Sequence, residues 1–324
     1  MTKHADLRHP HRDPTANPPI HYDHLPDRTA LRRIQTALWA KEETRGAAVM
    51  IGSGLTRTAQ RAAHDAPLPP TWRDLANDMA AHLYPTGNAP RNPLTIAQEY
   101  AVTLGRPALN DLIRARINDQ ALTPGRLHHA LIALPWTDIL TTNWDTLLER
   151  AVRNNPQHHY ELVQTINDIP RTRAPRIIKL HGTLPSHTPF IITEEDFRTY
   201  PTDFAPFVNL AQQILMENVL CLIGFSGDDP NFLQWTGWVR DHLGEHAPPI
   251  YLIGALALTQ PTRRRLEARG VTPIDFAPVL THLDTDDRHA EAIGYFLKAL
   301  TEARPWPAQR WPTQPQHPAN KKKP

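Results

Sequence analysis

Asp138-Ile139-Leu140-Thr141-Thr142-Asn143-Trp144-Asp145-Thr146-Leu147-Leu148-Glu149 opens as an apolar, β-prone run and crosses a polar knot. It then resumes at helical spacing with Leu147, Leu148 and Ala151. The pattern predicts a strand leaving a sheet, a turn and a helix. In open α/β sheets ligands bind at the carboxyl ends of strands, and Asn143 and Asp145, with Thr142 beside them, stand at such an edge. Taken alone, the stretch reads as a helix cap, an ordinary job for Asn and Asp. Three other stretches change that reading.

Ala47-Ala48-Val49-Met50-Ile51 is a buried-looking strand that ends in Gly52-Ser53-Gly54-Leu55-Thr56. Glycines there let the backbone approach a pyrophosphate with amide N–H groups aimed at it. Arg57 could add a cation to the phosphates, although it also occupies the third glycine's place in the G-x-G-x-x-G fingerprint. Arg176-Ile177-Ile178-Lys179-Leu180 runs into His181-Gly182, and Asn218 to Gly224 runs into Phe225-Ser226-Gly227-Asp228-Asp229-Pro230-Asn231. Asp228 and Asp229 read as caps for the helix that follows, and Trp144 as a side chain packed on the sheet. His128, His129, His158 and His159 read as surface residues.

Helical spacing over Thr29–Ala40, Thr71–His82, Pro93–Leu104, Ala108–Asn118, Leu127–Leu134, Phe204–Met216, Pro261–Ala268 and Ala290–Ala303 alternates with further strands at Pro249–Ile253 and Val271–Phe276. Continuous apolar strands alternating with helices predict an α/β fold. Its core is a Rossmann-like parallel sheet with helices on both faces and a helical insertion. The expected division is an arm at residues 1–27, one domain at 28–303 and a Pro-rich tail at 304–324. The domain would hold a helical insertion at about 60–135 and a smaller one, a short strand and helices, at about 183–217. Arm and tail offer no periodic apolar face and read as disordered. The arm's His4, His9, His11, His21 and His24 and the tail's Lys321-Lys322-Lys323 read as solvated.

Of 324 residues, 33 are Pro and 14 Gly, and the net charge of +2 gives no argument for nucleic acid. Cys221 is the only cysteine, which excludes an internal disulfide and a zinc site built on Cys pairs. No apolar run approaches the ~20 residues of a membrane helix. The first residues lack a signal peptide's apolar core, so a cytoplasmic protein is expected.

Taken together and in this order, GSGLT, TTNWD, LHG and IGFSGDDPN resemble the sirtuin-like family, and more closely its bacterial branch that destroys NAD. The resemblance covers roughly residues 47–276. Gly52, Ser53, Gly54 and Thr56 are similar to the family's Gly-Ala-Gly-x-Ser phosphate loop. Thr142, Asn143 and Asp145 fall in its Thr-Gln-Asn-Ile-Asp motif. His181 matches the histidine of its His-Gly pair, and Gly224 and Ser226 match its Gly-Thr-Ser adenosine loop. Two departures stand out. One cysteine cannot build the zinc ribbon of the protein deacylases, and Gly254 stands where the family often has Asn.

The resemblance implies an NAD glycohydrolase that releases nicotinamide and ADP-ribose, with NAD as substrate and no metal. In NAD the nicotinamide is already a cationic pyridinium and departs neutral without acid, so the difficulty lies in the oxocarbenium-like ribose. Asn143 would orient a water or the ribose hydroxyls, and His181 would act as general base. Asp145 would accept from the carboxamide, while Glu99 and Tyr100 of the insertion could line the nicotinamide side. Also implied are an antiphage effector role, a homo-oligomer and a separate activating protein, either a ring-forming ATPase or an Argonaute-type sensor. Two other readings stay open: a non-catalytic NAD or ADP-ribose sensor, and an NAD-dependent deacylase without zinc. A scaffold whose tails bind nucleic acid is weaker.

Overall fold

The computed structural model describes residues 25, 27–40, 45–62, 67–153, 159–185 and 189–303. Nearly all of the expected arm, the whole tail and His158 lie outside them. The chain enters through α1 (Arg28–Trp39) and β1 (Ala47–Ile51), turns through α2 (Ser53–Thr56), and touches a two-stranded ribbon with β2 (Gln60–Arg61). Next come α3 (Trp72–Leu83), α4 (Pro93–Leu104), α5 (Arg106–Ile117), the ribbon's other strand β3 (Leu122–Thr123) and α6 (Arg126–Ile132). Then follow β4 (Asp138–Thr141), α7 (Leu147–Arg153), β5 (Glu161–Val163), β6 (Arg176–Lys179), α8 (Glu194–Asp203) and α9 (Ala205–Glu217). The closing elements are β7 (Val219–Ile223), α10 (Pro230–Leu243), β8 (Ile250–Gly254), α11 (Gln260–Ala268), β9 (Val271–Asp275) and α12 (Thr285–Glu302).

Seven strands form one sheet in the order β5-β6-β4-β1-β7-β8-β9, and every pairing in it is parallel. Alternate strand residues feed two apolar layers, as the pleat requires. Val49, Ile51, Ile139, Ile177, Cys221 and Ile223 pack with α1, α6, α7 and α12 on one face. Ala48, Met50, Leu140, Ile178, Leu220 and Leu222 pack with α9 and α10 on the other. From β1 the chain crosses to β4 on one side and later returns to β7 on the other. The crevice of an open α/β sheet lies at such a switch, which puts the tips of β4, β1 and β7 side by side around it.

α3, α4 and α5 have a core of their own, with Leu75, Met79, Ile96, Tyr100, Leu109 and Ile113 packed on Leu184, Phe190 and Ile192. Local chemistry sets their ends. Thr71 and Asp74 make a capping box. Asn92 caps α4 ahead of Pro93, and Gly105, at φ +90°, separates α4 from α5. The insertion is fastened to the start of α8. Arg106 grips both Asp196 oxygens at 2.8 and 2.9 Å and the Phe190 carbonyl. Gln98 accepts from the Glu195 amide, and Thr95 bonds Glu194.

Four sequence expectations are corrected. Phe190 to Thr193 is not a strand; its apolar side chains are buried among the insertion helices and the sheet. β5 was not foreseen, because only Val163 of its three residues is fully buried. His128 is buried rather than superficial, its Nδ1 accepting from the Gly125 amide, whereas His129 and His159 are exposed. At the end of the expected arm, Leu25 is buried, and Asp27 pairs with Arg263 and accepts from the Asp275 amide.

Candidate active site

At the tip of β1 the two glycines have a purpose other than the one expected. A Cβ on Gly52 would come 2.4 Å from the Gly224 carbonyl oxygen. A Cβ on Gly54 would come 2.6 Å from Gly224 Cα and 2.6 Å from His289 Nε2 of α12. Gly224 itself has φ +61°, and its bare face meets the Leu55 amide nitrogen at 2.4 Å. The faces that lack a side chain are therefore filled by the β7 loop and α12, with the Gly54 amide donating to the Gly224 carbonyl at 2.9 Å. A phosphate would have to approach from elsewhere. Arg57 points toward the insertion, donating to the Pro69 carbonyl and lying 3.7 Å from Asp74.

Thr56 joins the β1 tip to the β4 tip. Its hydroxyl lies 2.6 Å from Asp145 Oδ2 and 3.0 Å from Asn143 Nδ2. A carboxylate can only accept, so Thr56 donates to Asp145 and accepts from the Asn143 amide. That sequence of bonds fixes which end of the Asn143 amide faces Thr56 and leaves its Oδ1 for a water or ligand. The second oxygen of Asp145 accepts from the Leu147 amide at the start of α7. Asp145 is thus buried with both oxygens engaged inside the protein. Thr142 is half-buried beside Asn143, and Thr141 donates to the Ile51 carbonyl.

Trp144 does not pack on the sheet. It lies on Phe190 in the insertion core, and its indole N–H donates to the His181 carbonyl at 2.9 Å. This bond ties the β4 turn to the β6 tip, whose last paired residues are Thr141 and Lys179. The His181 ring is 3 % exposed, set against Phe197 and Tyr200. Its Nε2 lies 3.4 Å from Asn231 Nδ2 and 3.9 Å from Asp229 Oδ2. Burial holds its pKa below the ordinary histidine value, with Asp229 and then Asp196 pulling the other way. Asp229 caps α10 with its other oxygen. Asp228 instead pairs with Arg269, and exposed Ser226 accepts from the Asp228 amide.

The contacts close on themselves. The β1 loop touches Gly224, Thr56 touches Asn143 and Asp145, Trp144 reaches His181, and His181 faces the DPN segment that continues from Gly224. Asn143 and His181 therefore sit on neighbouring strand tips, both linked to the glycine loop. Glu99 and Tyr100 are turned to other partners: Tyr100 is in the insertion core and Glu99 is bonded by Tyr84. Sequence reasoning missed His289, His128, Asn231 and the second role of Asp229. The DPN run was a visible signal for the last two.

A parallel sheet with a glycine turn and polar side chains at its switch point defines a Rossmann-like α/β protein. More particularly, residues 137–274 match the family model described as a SIR2-like domain. It is 27 % identical over 217 residues to a protein named NAD(+) hydrolase ThsA from Enterococcus faecium, covering 65 % of this chain and 43 % of that one. A protein of the same name from Acinetobacter baumannii (strain 532279) is 27 % identical over 210 residues, with 64 % and 42 % covered. Defense-associated sirtuin 2 from Bacillus subtilis is 22 % identical over 228 residues, with 67 % of this chain and 22 % of that protein covered. The chain spans about two fifths of the length of the ThsA relatives it matches.

Proposed function

We propose that the chain is an NAD glycohydrolase, releasing nicotinamide and ADP-ribose at the cleft between the β1, β4, β6 and β7 tips. The reading rests on one observation: Asn143 and His181 occupy adjacent tips within a closed ring of contacts that also includes the glycine loop. The names of the relatives agree with it. The segment after His181-Gly182 supports hydrolysis over deacylation, because it forms α8 and α9 where deacylases have a zinc ribbon.

In this reading Asn143 offers Oδ1 to a ribose hydroxyl or to the attacking water, held in place by Thr56. His181, kept neutral by burial, accepts the proton as the oxocarbenium-like ribose is captured. Asp229 steadies the imidazolium that results. Asp145 acts by orienting Thr56 and Asn143, and the carboxamide is left to other groups. The dinucleotide's phosphate and adenosine side lies along the outer edge of the β1 and β7 loops at Ser53 and Ser226, with Gly52, Gly54 and Gly224 packing the two loops together and Thr56 and Arg57 engaged within the protein.

Biologically, the reading extends to a defence effector that depletes NAD in the cytoplasm once activated. It would work as a homo-oligomer with a separate activating protein, either a ring-forming ATPase or an Argonaute-type sensor. Nicotinamide release from NAD by wild type and by Asn143→Ala, with ADP-ribose binding measured on both, tests the catalytic core. The expected result is loss of release by about two orders of magnitude or more with binding retained. Binding without release by the wild type, alone and with candidate activators, would leave a sensor instead.

A further inference from the structure

Lys179 is the last residue of β6, two before His181, and its side chain is 1 % exposed. A lysine so deeply buried is rare unless its charge is compensated. Its Nζ lies 3.2 Å from Glu149 Oε1 on α7, itself 4 % exposed. Burial pushes the Glu149 carboxyl above its usual range, and the adjacent Lys179 charge is the chief opposing influence. Nζ donates a hydrogen bond to the backbone carbonyl of Asp145.

We propose that Lys179 is a positioning residue: its buried ammonium, balanced by Glu149, tethers the Asp145 carbonyl and so fixes the turn that presents Asn143. The neighbouring bonds agree with this assignment. The Trp144 carbonyl accepts from the Leu184 amide, and the Thr146 amide and hydroxyl donate to Asp119. With Lys179 between them, three consecutive residues of the turn are held from β6, from the loop that follows it and from the connection between α5 and β3. Thr56 then sets the Asn143 side chain on a turn that cannot drift. Lys179 ends β6 two residues before His181, so one short segment at the β6 tip carries the base and anchors the turn that bears Asn143. If the ion pair served stability alone, hydrophobic residues of similar size would replace it without loss, as buried pairs often allow.

The inference rests on the proposed function for its link to turnover, but not for its structural content. The test is the double variant Lys179→Met/Glu149→Leu, which removes both charges together and leaves none buried alone. Its unfolding midpoint is expected within ~4 °C of wild type. Amide exchange over residues 143–147 should quicken by about tenfold or more. Nicotinamide release should fall by about tenfold or more in kcat, with KM within about threefold. Wild-type exchange in the variant overturns the tether. Faster exchange with unchanged kcat overturns the positioning role. Should wild type release no nicotinamide, the function proposed above fails, while the exchange comparison still decides whether Lys179 holds the turn.

Discussion

At the scale of single residues, the site depends on what each polar atom has left after satisfying its neighbours. Asp145 has both oxygens in use and holds Thr56; Asn143 has Oδ1 left over. Asp229 divides its carboxylate between the α10 cap and His181, which makes Asp229→Asn an informative variant. Asn caps a helix as well as Asp, so the charge facing the imidazole is lost while the cap stays. Burial already lowers the His181 pKa and Asp229 raises it. Removing that charge therefore lowers it further. Activity that needs neutral His181 falls as pH drops through this pKa, so the acid limb of kcat/KM should start below ~6.5 in wild type and move lower in the variant. An acid limb that moves upward in the pH–rate profile, or stays in place, would remove Asp229 from the role.

At the scale of elements, the β1 and β7 loops behave as one body because they meet backbone to backbone. Gly224→Ala puts a Cβ 2.4 Å from the Leu55 nitrogen at a left-handed φ, and should destabilise by about 3 kcal/mol or more in urea titration. Gly237→Ala in α10, where the Cβ has open space, should instead gain about 0.5–1 kcal/mol. Much of this level was legible beforehand. Apolar strand runs ending in Gly or Asn are local signals, and the four tips were readable together through their resemblance to sirtuins. The reason for the glycines was not legible, since the atoms that fill Gly54's bare face lie on α12 and beyond β7. Lys179 was equally silent: nothing in its strand pattern points to Glu149, thirty positions earlier. Trp144 was misplaced because periodicity predicts a turn without its direction.

At the scale of the whole molecule, two bodies meet near the strand tips: the sheet with its two helical layers, and the insertion with its separate core. Arg106 is the principal fastening between the insertion and the α8 start. Its side chain and that of Asp196 are 32 % and 15 % exposed, so solvent screening moderates the pair. Arg106→Ala should cost about 2 kcal/mol. It should also raise hydrogen exchange over residues 189–197 while the central strands keep their protection; uniform loss of protection would mean that the insertion and sheet unfold as one. The three-way contact of Gly52, Gly54 and Gly224 has a consequence for screening. A saturation library selected only for folded, abundant protein should already reject larger side chains at these positions, before any dinucleotide is offered. Intolerance there would measure the fit between two loops, and evidence of substrate recognition would have to come from neighbours such as Ser53 and Ser226.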